Sequence, residues 1–255
     1  MRYTTSTRDY RDSFYPGYFP PGVKWLLISN TAVWLVFFFA VRSGFGLLFQ
    51  PFKLVPGDVV HGFALWQLVT YLFLHDPFGF SHILFNMLTL WMFGADLERE
   101  WGTRQFLRYY FLCGIGAGIC VVAANAARGG DMQRATIGAS GAIYGLLMAF
   151  GVLFPDRIVL FSFLFPMKAK YFVMILGAIA FLSSMGSGNS NVSNVAHLGG
   201  MVFGYVYLKS RIGRVRFSLA ASVTRGYREW KLARAKRKFK VYLRKQGRDT
   251  DRWVN

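Results

Sequence analysis

The chain has 255 residues, 54% of them apolar and 18% aromatic, with a mean hydropathy of +0.32; this exceeds what one soluble core needs, so a membrane protein is the expected class. The net charge of +18 invites a nucleic-acid partner, but residues 209–255 hold 16 of the 30 Lys and Arg and only 3 of the 12 Asp and Glu, which leaves +5 for the other 208 residues. Basicity is mostly a tail property, and with no recognition motif beside it nucleic acid is not expected as a partner.

Taken in chain order, the first twenty residues (MRYTTSTRDYRDSFYPGYFP) lack the apolar run of a cleavable leader, so the first apolar span, Val23 to Val41, is expected to act as its own insertion signal. A first loop follows, with Trp66-Gln67 and two histidines, His61 and His75, read as solvated or loop-structuring, His75 at the entrance to the site. The second span, Ser81 to Leu97, carries His82-Ile-Leu-Phe-Asn86 and is closed by Asp96, Glu98, Arg99 and Glu100. Phe106 to Ala127 is the third, with Cys113 and Cys120 read as small residues on one helix face that give no disulfide framework. The fourth, Ala139 to Phe154, begins at Gly138-Ala-Ser140-Gly141 and ends at Pro155-Asp156-Arg157. Tyr171 to Met185 is the fifth, and beyond the polar stretch 186–191 the sixth, Val195 to Lys209, contains Ala196-His197-Leu-Gly-Gly200. Several spans are shorter than the roughly 20 residues that cross ~30 Å of hydrocarbon, as short helices beside a water-filled cavity can be.

Counting cations orients the spans. With the amino terminus in the cytoplasm, 26 Lys and Arg lie inside and four outside (Arg42, Lys53, Arg128 and Arg134), so six spans with both termini cytoplasmic are expected. The resulting division is a cytoplasmic segment 1–22, a six-helix membrane domain 23–210 and a basic cytoplasmic tail 211–255. The tail reads as an amphipathic helix over 211–248, whose Lys236-Arg237-Lys238-Phe239-Lys240 run suits anionic headgroups.

In this topology spans two, four and six run the same way, so residue counts measure depth. Ser140, His197, His82 and Asn86 fall roughly 22, 18, 22 and 16 Å from their cytoplasmic ends, in one layer of the outer half of the bilayer. A hydroxyl, an imidazole and a carboxamide at one depth are the parts of a nucleophile, a base and an oxyanion binder, which points to proteolysis inside the membrane. Ser140 opens its helix, where first-turn amides favour negative charge, and Tyr144 lies four residues on, on the same face. Small-residue pairs, Gly141 with Gly145 and Gly200 with Gly204, allow spans four and six to approach closely. Between Glu100 and the end of the sixth span only Asp131 and Asp156 are acidic, both in loops, so a Ser-His dyad is expected rather than a triad.

At these residues the chain resembles the rhomboid family of intramembrane serine proteases over about residues 20–210. The ordered motifs that carry the likeness are His82-Ile-Leu-Phe-Asn86, Gly138-Ala-Ser140-Gly141 with Tyr144, and Ala196-His197 followed by Gly200 and Gly204. The resemblance implies Ser140 as nucleophile and His197 as base and then acid. It further implies His82, Asn86 and the Ser140 amide as oxyanion holders, Tyr144 packed on His197, and Gly138 shaping the loop that cradles the scissile carbonyl. Trp66-Gln67 stands where the family commonly has a Trp-Arg pair.

The implied fold is an all-α, six-helix rhomboid-like bundle, and the implied substrates are transmembrane protein segments with small or helix-breaking residues near the external side. Substrate entry is expected past the fifth span or past the 186–194 loop. No cofactor or metal is expected, and a bacterial cytoplasmic membrane is the expected location. A catalytically inactive rhomboid-like protein that binds transmembrane clients is the rival reading, disfavoured by the intact set of polar residues. A transporter would show inverted repeats or charged intramembrane residues, and neither is visible.

Overall fold

The computed structural model describes residues 19–161, 165–185 and 194–210. One compact unit runs to Val206 and a second comprises residues 207–255. The expected tail helix, the first 18 residues and residues 186–193 lie outside the described residues.

Helix α1 (Pro21–Arg42) starts with Pro at its first position, where the missing N–H has no intrahelical partner anyway. Its next two amides, of Gly22 and Val23, each donate to the Glu98 carboxylate at 2.7 Å. Glu98 is 3% exposed and also accepts the Thr103 hydroxyl at 2.6 Å. A buried carboxylate is costly unless several donors surround it, and here a helix amino terminus supplies two of them. The residue read from sequence as part of a span terminator is thus the clamp that joins the start of α1 to the end of the second apolar run.

The first loop is folded. A 3-10 turn (Gly46–Phe52) precedes α2 (Pro56–His61), α3 (Gln67–Thr70) and a second 3-10 turn at Tyr71–Phe73. The second apolar run is helical from Phe80 to Trp101, as α4 (Phe80–Thr89), a π-helical turn (Leu90–Gly94) and α5 (Ala95–Trp101). The π turn adds a residue where Gly94 is pressed between Leu90, Val23 and Phe106, and this re-phases the helix between its His82 end and its Glu98 end.

Helix α6 (Thr103–Arg128) ends on Gly129 in the left-handed region, the usual helix stop. Helix α7 (Ser140–Leu153) is apolar on all sides and is buried along most of its length, as a helix enclosed by others must be. A hairpin absent from the sequence reading follows: β1 (Ile158–Phe161) pairs antiparallel with β2 (Phe165–Lys168), Ile158 opposite Lys168. Asp156 beside it holds Lys168 at 3.2 Å and Lys170 at 3.0 Å. Helix α8 (Ala169–Met185) exposes Met174, Phe181 and Leu182, and α9 covers residues 194–210.

Each of the six apolar runs is helical where described, with ends displaced by up to four residues. Among the described residues two helices, Pro21–Arg42 and Thr103–Ala127, are long and apolar enough to cross a membrane, and Ser140–Leu153 and Ala169–Met185 are shorter apolar helices.

Candidate active site

Ser140 is the first residue of α7, so its amide, like the next two, has no acceptor within the helix. The segment leading to it is held by the folded first loop. Leu54 and Thr136 exchange both backbone hydrogen bonds, at 3.0 and 2.8 Å, the Gly57 amide donates to the Met132 carbonyl at 2.7 Å, and the Gly138 amide donates to the Tyr71 carbonyl at 2.9 Å. Tyr71 is anchored in turn, its hydroxyl donating to the Gly114 carbonyl of α6 at 2.7 Å.

His197, in the first turn of α9, places Nε2 2.9 Å from Ser140 Oγ. With its proton on Nδ1, a neutral imidazole accepts the serine proton at this distance. Tyr144, one turn beyond Ser140, stacks on the imidazole with ring centroids 4.0 Å apart and planes 3° from parallel.

Close helix packing makes this contact possible. A methyl group on Gly200 would overlap the Gly141 carbonyl, and one on Gly145 would stand 2.5 Å from Cys113 Cβ and 3.2 Å from the Gly200 carbonyl. Gly141 meets Ala117 of α6, and Gly199 meets Cys120. The third helix, α6, therefore belongs to the small-residue seam, and its two cysteines, both free thiols, are part of it. Gly204 faces α6, where the Tyr109 hydroxyl and Cys113 are the nearest atoms an added Cβ would meet.

His82 lies in the first turn of α4 with its ring over Gly138, where an added Cβ would stand 3.1 Å from His82 Nε2. Gly138 has φ +121°, a conformation that side-chain-bearing residues rarely adopt. Asn86 is buried one turn beyond His82, and its Nδ2 donates to the His82 carbonyl at 2.8 Å, which leaves one amide hydrogen for another acceptor. The structure thus groups Ser140, His197, Tyr144, Gly138 and His82, while the hydrogen bond it gives Asn86 is to its own helix. Asp131 is occupied with the Gln133 amide at 2.9 Å, and Asp156 with its two lysines.

Residues 62–213 match the family model described as the Rhomboid domain. This chain belongs to the rhomboid family. Such proteins are embedded in membranes and are generally intramembrane serine proteases, with inactive members among them. Among its relatives, the Bacillus subtilis rhomboid YdcA is 30% identical over 73% of this chain and 86% of its own length. The Bacillus subtilis rhomboid protease GluP is 32% identical over 55% of this chain, which spans only 25% of that protein. The mitochondrial RHOMBOID-like protein 12 of Arabidopsis thaliana is 31% identical over 60% of this chain and 48% of its own length.

Three supporting residues of this rhomboid make contacts that the sequence reading did not foresee. Gln67, 1% exposed, accepts the Val55 amide at 2.8 Å and donates to Asp58 at 3.1 Å, so at the position where the family commonly has an arginine an amide ties the first loop together. Tyr71 carried no motif. His75 is fully buried, not an entrance residue, and its ring lies 5.2 Å from that of His82. Its signal was available, since a histidine seven residues before His82 in an apolar context invites burial against it.

Proposed function

We propose that this rhomboid is an intramembrane serine endopeptidase that cleaves transmembrane segments of other membrane proteins near the external face. The observation that carries this reading is the 2.9 Å approach of Ser140 Oγ to His197 Nε2 at the amino end of α7. In the first step His197 takes the Ser140 proton as Oγ attacks the scissile carbonyl carbon. The resulting oxyanion sits at a helix amino terminus, where the Ser140 amide, the His82 imidazole and the Asn86 carboxamide are the donors available to it. Collapse breaks the C–N bond while His197 gives its proton to the leaving amine, and a water deprotonated by His197 then releases the acyl group.

A dyad of this type has no carboxylate to orient the imidazole, and the Tyr144 ring and the seam of glycines under α9 take that part. Six membrane crossings with both termini cytoplasmic fit the charge count of 26 cations against 4, and a bacterial cytoplasmic membrane fits the same orientation. In this reading residues 23–210 form the membrane domain, and the basic tail lies on anionic headgroups. Helical substrates hide their carbonyls in their own hydrogen bonds, so small or helix-breaking residues favour cleavage.

The test is cleavage of a fluorogenic transmembrane peptide by purified wild type and Ser140→Ala. Cleavage by wild type alone, with fluorophosphonate labelling of Ser140, supports the reading. Equal cleavage by both, or none by either across a range of lipids, overturns it and leaves a client-binding rhomboid.

A further inference from the structure

A groove of about 660 Å³ runs along the face of α6 turned away from the small-residue seam. Arg104, Arg108, Leu112, Ile115 and Ile119 line it, spaced four, four, three and four residues apart and therefore on one stripe of the helix. Its far wall is Phe203 of α9, whose ring lies directly against Gly116, so any side chain at 116 would push the wall away. The charge is confined to one end. Both arginines are exposed, neither is in an ion pair with a described residue, and everything beyond them is apolar.

We propose that this groove holds one anionic phospholipid, its phosphate on Arg104 and Arg108 and an acyl chain laid along Leu112, Ile115 and Ile119 against Phe203. The lengths agree. From Arg104 to Ile119 is about 22 Å of helix, close to one leaflet's hydrocarbon of ~15 Å plus the ~6 Å of its headgroup layer. Two guanidiniums one turn apart offer paired N–H donors and two positive charges to a phosphate; an apolar protein helix would leave both unused, and a zwitterionic lipid brings a cation of its own beside its phosphate, which the two arginines disfavour. Basic pockets between membrane helices are a recurrent way of holding such headgroups. A phosphate without chains would gain nothing from the apolar two-thirds of the groove. The inference needs the chain to be in a membrane and does not depend on catalysis.

The experiment uses the full chain in phosphatidylcholine nanodiscs doped with phosphatidylglycerol carrying a photoreactive diazirine on its acyl chain. Peptide mapping is expected to place the adducts on residues 107–119 and 203. In Arg104→Gln/Arg108→Gln the yield there falls roughly tenfold or more, the scale of two cations beside an anionic headgroup. Ile119→Trp fills the apolar half without touching any charge and lowers the same adducts, which separates the groove from lipid gathered by the basic tail. Soluble glycerophosphoglycerol leaves the yield unchanged, which separates a lipid from a free anion. Adducts spread evenly over α1, α6 and α8, confined to the tail, or unchanged in both variants overturn the proposal.

Discussion

The Tyr144 ring lies flat on the imidazole of His197, 4.0 Å between centroids and 3° between planes, while His197 reaches Ser140 at 2.9 Å. The stack fixes the imidazole plane, and the plane decides whether Nε2 points at Oγ. Tyr144→Phe keeps the ring and is expected to retain near-normal turnover. Tyr144→Ala removes it and is expected to lower kcat about fivefold, the scale of an aromatic stacking contribution of ~1 kcal/mol, with KM little changed. Steady-state kinetics on a transmembrane peptide separate the two parameters, and a change in KM alone would assign Tyr144 to substrate binding.

Gly138 occupies φ +121° with its open side against His82. A Cβ there adds roughly 1–3 kcal/mol of backbone strain and pushes on the imidazole. Gly138→Ala is expected to cost roughly 100-fold in turnover, the scale of a displacement of about 1 Å at a reacting centre. Fluorophosphonate labelling of Ser140 reports the same defect without substrate. Labelling and turnover at wild-type rates would show that the segment relaxes around the new methyl group.

His75 sits in the first loop with no exposure, and burial, then the neighbouring His82, lowers its pKa from 6.5 to about 4. A base with a lower pKa in the folded state binds protons preferentially when unfolded. Its contribution to stability is therefore complete above about pH 6.5 and is lost as the pH falls toward 4, a difference on the order of 3 kcal/mol. Thermal unfolding of wild type and His75→Gln, measured from pH 7.5 down to 4, isolates this term: wild type is expected to lose stability more steeply. Parallel curves would mean that the ring reaches solvent on protonation.

The site was legible in sequence because its chemistry needs rare residues. A serine, histidines and an asparagine in apolar runs stand out, and counting residues from the span ends gave a reason to expect Ser140 and His197 beside each other, as they are. The supports were less legible for a physical reason. Glu98 looks like any acidic span terminator until the fold brings the start of α1 onto it, and Gly204, one turn beyond Gly200, has Tyr109 and Cys113 of α6 as its nearest neighbours. The first loop lacks a long periodic run, so its short helices depend on tertiary contacts such as Leu54 with Thr136, which no local pattern announces.

Gln67 is where those contacts converge. Its side-chain oxygen accepts the Val55 amide and its nitrogen donates to Asp58, and the next turn ties Gly57 to Met132 on the segment that presents Ser140. Gln67→Ala leaves the Val55 amide buried without an acceptor, a cost of about 1–3 kcal/mol, and is expected to lower Tm by about 5 °C. Gln67→Glu keeps the acceptor for Val55 but sets a carboxylate against Asp58, so it is expected to be the more damaging change near neutral pH. Adding Asp58→Asn to Gln67→Glu replaces that repulsion with an amide facing a carboxylate and restores most of the loss. Failure of this rescue in thermal unfolding would show that the two side chains do not act as a pair. If turnover recovers in parallel with Tm, the hold of the first loop on residues 130–139 governs how Ser140 is presented.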